Sequence, residues 1–186
     1  MPGFASGRWD FRHNSRGSSV FLCLRLPRSI QGASVRLKRL NVTDGPFLTR
    51  LAAHPALRPG RKRGGPPFAY ALRLWWRMRQ RYTCCYIIRR DGRPIGLIGL
   101  YALDPGRTAE LTLVIAEEAD RGKGYGTESY GLFMSRFSRG RPVERVLVRL
   151  AQPEARVLSF WRRLGFLEGE GGSDLRALCL PMSAGR

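Results

Sequence analysis

The sequence predicts an α+β fold in a single domain, and three observations carry that prediction. Two runs rich in β-branched and aromatic residues, Tyr82–Arg89 and Pro94–Leu103, flank Asp91-Gly92, a dipeptide suited to tight hairpins; Asp104-Pro105-Gly106 then turns the chain into a third run at Thr108–Ile115. Together they make a meander of three antiparallel strands. Beyond it, Tyr130, Phe133, Met134 and Phe137 recur at i, i+3, i+4 and i+7, the spacing of one helix face. At 186 residues the chain is one globular unit, large enough to bury a core.

Taken in order, residues 1–32 are rich in Gly, Ser and Arg and read as an irregular, basic N-terminal extension. Val35–Leu40 reads as a first strand, and Asp44 as the cap of a helix running through Leu51 and Ala53. Arg58–Pro67 is a loop by its proline and glycine content. A helix follows, with Phe68, Leu72 and Trp75 on one face and Arg73, Arg77 and Arg81 in a stripe four residues apart. After the meander and its helix comes a strand at Arg145–Leu150. Pro153 then suits the first turn of a helix ending near Gly165. Two short strands, near Phe166–Glu170 and Leu175–Pro181, close the chain.

The formal charge is +19 and is unevenly spread: residues 1–82 carry 17 Lys/Arg against Asp10 and Asp44, whereas residues 83–186 carry 16 against 12 acids. Such a first half suits an anionic partner, RNA or a ribosome surface among them, although GC-rich coding alone also enriches arginine. Four cysteines and two histidines, His13 and His54, show no metal-ligand spacing, so no metal is expected. Cys84 and Cys85 are strand neighbours and should point to opposite faces. No apolar run approaches a membrane span, and Val20–Leu26 is short and interrupted by Arg25. The expectation is a cytoplasmic protein with no membrane partner.

The most informative run is Arg121-Gly122-Lys123-Gly124-Tyr125-Gly126, set between a strand and a helix. Glycines remove the Cβ atoms that would hold an anion away from the backbone. A row of amides at a helix N-terminus, flanked by Arg121 and Lys123, suits phosphate. Lys123 is followed by Gly124, so this is not a nucleotide-triphosphate loop, and the glycines miss the dinucleotide spacing. They meet Arg/Gln-x-x-Gly-x-Gly instead, through Arg121, Gly124 and Gly126.

On these residues the chain resembles the GNAT superfamily of acyl-CoA-dependent N-acyltransferases, and most of all the branch that acetylates ribosomal-protein N-termini. Arg121-Gly122-Lys123-Gly124-Tyr125-Gly126-Thr127-Glu128 looks like that branch's loop and helix start. Phe160-Trp161-Arg162-Arg163-Leu164-Gly165-Phe166 resembles its aromatic-x-x-Leu-Gly-Phe helix end, in the expected order after an intervening strand. The resemblance covers residues 33–184. It implies a mixed, mostly antiparallel central sheet flanked by helices, acetyl-CoA as cofactor, an amine acceptor, and direct acetyl transfer. It also admits a homodimer.

The resemblance further implies that amides from Gly122 through Lys123, Gly124, Tyr125 and Gly126 to Thr127 meet the pyrophosphate of coenzyme A. The pantetheine arm would pair with backbone at Val114, Ile115 and Ala116, as an added strand does, and an amide there would donate to the thioester oxygen. Arg162 and Arg163 are candidates for the 3′-phosphate; a solvated basic face is the other reading. An ammonium has no lone pair, and a carboxylate near the acceptor can take its proton directly or through water. Glu110 matches the central-strand glutamate of histone-acetylating members; the alternative is a solvent-facing strand carboxylate. Trp161 stands where the family often has a proton-donating tyrosine, Glu154 where it often has an asparagine, and Arg149 where another branch keeps a glutamate. Three functions stay open: an N-acetyltransferase acting on a protein N-terminus or a small amine, a non-catalytic acyl-CoA sensor, and a basic RNA- or ribosome-associated protein. The arginines between Arg58 and Arg81 would steer an acidic acceptor and repel a polyamine.

Overall fold

The structure is a computed structural model that describes residues 26–51, 82–104, 107–138, 143–150, 154–169 and 176–182. An eight-stranded sheet has the order β1-β2-β3-β4-β5-β6-β8-β7. Its strands are β1 (Ser29–Gln31), β2 (Arg36–Arg39), β3 (Tyr82–Arg90), β4 (Arg93–Asp104), β5 (Thr108–Ile115), β6 (Arg145–Leu150), β7 (Leu167–Glu168) and β8 (Arg176–Pro181). Only β5 and β6 run parallel; all other neighbours are antiparallel. The described helices are α1 (Gly45–Leu51), α2 (Tyr125–Phe137) and α3 (Ala155–Arg163). The expected loop at 58–67, the helix after it and Pro153 lie outside the described residues.

The meander forms as expected. Asp91 and Gly92 both take positive φ, 48° and 79°, the conformation a two-residue hairpin needs to match the twist of its strands. β3 and β4 are buried on both faces, which is why Tyr86, Ile87 and Ile88 read as a continuous apolar run. Cys84 packs into the core on the α2 and α3 side, and Cys85 into the smaller cluster with Phe47, Leu48 and Leu51 of α1. The sheet is therefore covered on both sides. Tyr130, Phe133, Met134 and Phe137 all face the larger core, where Phe133 meets Tyr86 edge-on at 6.0 Å.

Two expectations are corrected. The stretch to residue 32 is not wholly irregular: Ser29–Gln31 forms β1, and Ile30 is buried opposite Leu37. One apolar residue between two polar ones carries no local periodicity, so only the partner strand reveals it. The helix near Asp44 is capped by Asn41, with Asp44 as the reciprocal member of a capping box across a 3-10 turn at Val42–Asp44. Asp44 is buried and ion-paired with Arg89.

The end of α3 explains its sequence motif. Gly165 has φ 89°; its N–H donates to the Arg162 carbonyl at 2.9 Å, and that of Phe166 to Trp161 at 3.1 Å. This is a Schellman end, which needs a left-handed residue after the helix and an apolar contact across the turn. Trp161 and Phe166 supply the contact at 5.0 Å between ring centroids. Gly165→Ala should lower stability by about 1–2 kcal/mol through left-handed strain. The check is a urea midpoint that falls with an unchanged m value.

Candidate functional site

β5 and β6 pair only from Thr108↔Arg145 to Glu110↔Leu147. Beyond that the two strands are no longer paired, so among the described residues the rest of β5 has β4 on one side and a gap on the other. Which backbone groups face the gap follows from alternation along the strand. The Ala116 N–H donates to the Ile95 carbonyl at 2.9 Å, on the β4 side. Val114, two residues earlier, turns the same way, and its carbonyl lies against Gly96 of β4. Leu113 and Ile115 therefore direct their amides to the gap. Of the trio Val114, Ile115 and Ala116, the backbone groups of Ile115 face the gap, as do those of Leu113, while those of Val114 and Ala116 face β4.

The glycine loop follows a 3-10 turn at Glu118–Asp120. Arg121 was expected beside a phosphate; its Nε instead donates to the Ile115 carbonyl at 3.2 Å and its Nη2 to that of Ala116 at 3.1 Å. Its guanidinium thus holds the end of β5. Asp120, buried, accepts 2.9 and 2.8 Å bonds from Arg93 Nη2 and pins the turn from the other side. Gly122 and Gly124 have φ of 73° and 84°, and a Cβ on either would meet nothing within 4 Å. The space above the loop is open. Lys123 is exposed, while Tyr125 is buried beneath the Arg90 guanidinium, 5.2 Å from its ring centroid.

Gly124 caps α2 with no side-chain bond, and the first intrahelical bond runs from the Glu128 N–H to the Gly124 carbonyl at 3.0 Å. The first-turn amides of Tyr125, Gly126 and Thr127 have no side-chain cap, a donor set that fits a pyrophosphate. Glu128 Oε1 accepts from Ser34 N–H at 2.8 Å and Val35 N–H at 3.3 Å, tying α2 to the β1–β2 turn.

At the fork between β5 and β6, Glu110 shares a face with Thr112 and Val114, the face that α1 covers. It is not solvent-facing. Its side chain is 8% exposed, and Oε1 accepts from Arg149 Nε at 3.0 Å. Sequence reasoning singled out both residues and missed their contact; an arginine inside the otherwise apolar stretch Val146–Leu150 was the available signal. Arg162 pairs with Glu168, Glu154 with Arg156 at 2.7 Å, and Trp161 is buried among Tyr130, Phe160 and Phe166. Among the described residues no helix is long and apolar enough to cross a membrane.

Residues 35–167 match the family model of the acetyltransferase (GNAT) domain. No curated protein sequence matches the chain. Among solved structures, a probable GNAT-family acetyltransferase from Chromobacterium violaceum superposes with TM-score 0.67 at 19% identity, over 84% of this chain and 93% of that one. RimL, a ribosomal L7/L12 α-N-protein acetyltransferase in complex with coenzyme A, gives 0.65 at 14%, over 82% and 97%. A dodecameric spermidine N-acetyltransferase from Vibrio cholerae gives 0.64 at 14%, over 81% and 95%. At these identities the likeness to the solved structures is one of fold.

The aromatic cluster at the end of α3 yields a pH prediction. Burial pushes the Tyr130 phenol up to about 12, from 10.0. Between those values the unfolded chain loses a proton that the folded chain keeps, so stability should fall as pH rises through that window. Tyr130→Phe should flatten this limb; urea melts below and above pH 10 read the difference.

Proposed function

The chain belongs to the GNAT acetyltransferase family, and from that premise we propose that it transfers acetyl directly from acetyl-CoA to the primary amine of a protein N-terminus or a small molecule. Acetyl-CoA is the family's cofactor and supplies the activated thioester. The observation that carries the residue-level reading is the open edge of β5, followed after the 3-10 turn at Glu118–Asp120 by the left-handed Gly122 and Gly124.

On this reading the amides of Gly122, Lys123, Gly124, Tyr125, Gly126 and Thr127 cradle the pyrophosphate. The gap-facing groups of Leu113 and Ile115 hold the pantetheine arm as an added strand, and one of these amides faces the thioester oxygen. Arg121 acts indirectly, by keeping the end of β5 and the loop in register. Glu110, at the closed end of the fork, takes the proton of the acceptor ammonium directly or through water. A carboxylate has about four acceptor sites, so its bond to Arg149 leaves capacity for that work. Trp161 offers no acidic proton, and proton return to the departing sulfur is assigned to water.

Support for an amine acceptor of either size comes from the two kinds of similar fold: one acts on a ribosomal protein's α-amine and another on spermidine. A screen of N-terminal peptides, amino acids and polyamines, read by thiol release from acetyl-CoA, tests the proposal. Release with no amine in the panel would overturn it.

Two variants test the residue assignments. Gly124→Asp puts a Cβ at φ 84° and a negative charge beside the pyrophosphate site; calorimetry should show coenzyme A binding weakened by more than about tenfold. Unchanged affinity would remove the loop from the site. Glu110→Gln should lower kcat by about a hundredfold or more while coenzyme A affinity stays nearly constant. The deficit should narrow at high pH, where free amine is abundant. A variant as active as the parent at neutral pH would return Glu110 to a purely structural role.

A further inference from the structure

The Glu110–Arg149 pair lies where the two strands part. Glu110 belongs to the last parallel pair, with Leu147, and Arg149 stands two residues further along β6, past the point of separation. Val146 and Val148 pack into the core on the α2 and α3 side, so Leu147 and Arg149 turn to the same face as Glu110. The 3.0 Å bond from Arg149 Nε to Glu110 Oε1 therefore ties one wall of the gap to the other. The two ends of the pair differ in exposure: the arginine side chain is 34% exposed and the glutamate 8%. The more exposed member of the pair, and so the one nearer an incoming molecule, is the cationic one.

We infer that Arg149 selects the acceptor: it disfavours polycationic amines and favours an amine whose near neighbour is a carboxylate, such as the N-terminus of an acidic peptide. The inference rests on the reading of Glu110 as the group that receives the acceptor's proton. An amine brought to Glu110 lies within several ångströms of Arg149. There a second ammonium on the acceptor is repelled and a carboxylate attracted, each by enough to change kcat/KM about tenfold at the effective dielectric of a protein surface. The steering proposed for arginines between Arg58 and Arg81 would act during approach; this effect acts at the reacting amine and would survive moderate salt.

The experiment measures kcat/KM for spermidine, for a peptide with acids at its second and third positions, and for its uncharged counterpart. The proteins are the full chain, Arg149→Lys, Arg149→Met and the double variant Glu110→Gln/Arg149→Met. The double variant removes both charges and leaves no unpaired buried carboxylate, so it serves if Arg149→Met alone folds poorly. The parent should prefer the acidic peptide, and Arg149→Met should reduce its advantage over spermidine about tenfold, mostly through acceptor KM. Arg149→Lys should retain the preference. Calorimetry of the acidic peptide on the coenzyme A-bound protein should show the same loss without turnover. A purely structural arginine would lower kcat for all three acceptors alike; an unchanged ratio in both Met variants overturns the inference while acetyl transfer stands. No thiol release with any acceptor would overturn the functional reading and this inference with it.

Discussion

The structure depends on how briefly β5 and β6 stay together. Three residue pairs hold the one parallel contact in the sheet, and the strands then separate. A strand losing its neighbour in mid-course leaves amides and carbonyls that must be satisfied by something else. Here Leu113 and Ile115 direct their amides away from β4, the Ile115 carbonyl accepts from Arg121, and the chain passes through a 3-10 turn at Glu118–Asp120 into the glycine loop. At the fork, side chains of β5 and β6 meet across the gap in the Glu110–Arg149 pair. Longer pairing would close the edge and bury the fork.

What keeps the gap open is the packing around it. Trp161 and Phe166 fasten the end of α3 to the core together with Tyr130 of α2. Phe160 comes within ordinary contact distance of the position a Cβ on Gly126 would take, so the first turn of α2 rests against α3. Arg121 and Asp120 fix the loop from two sides, one by backbone carbonyls and the other through Arg93. Amides held this firmly need little reorganisation when a ligand arrives, the condition under which such donors are most effective.

In a chain so rich in arginine, the buried acids carry particular weight. Asp44, Asp120 and Glu110 are each buried, and each faces an arginine: Arg89, Arg93 and Arg149. Removing one partner from such a pair costs far more than the pair contributes in total. All three arginines lie on sheet strands, where their positions are set by register. Asp44 and Asp120 sit on 3-10 turns, so their pairs fasten those turns to β3 and β4, whereas Glu110–Arg149 joins β5 to β6. Glu110–Arg149 is the pair that also meets the open gap.

Local chemistry made much of this legible. Strand-forming residue types and turn residues located β3 to β6, the 3.6-residue spacing located α2 and its buried face, and Gly165-Phe166 marked the end of α3. All are patterns within a few residues of one another, where sequence and conformation are directly coupled. The glycine loop, its strand-to-helix setting and Glu110 as a candidate also came from the sequence, and with them the family that residues 35–167 match. Tertiary structure decided what depends on partners distant in the chain. Ile30 is a strand residue because Leu37 lies opposite, and Arg121 serves carbonyls because β5 ends beside it. Ile115 faces the gap and Val114 does not, since the direction of a strand's backbone groups is set by which neighbour it pairs with. Glu110 and Arg149 are 39 residues apart in sequence and 3.0 Å apart in space. No spacing rule reaches across that distance; only the register of β5 on β6 brings the carboxylate and its cation together.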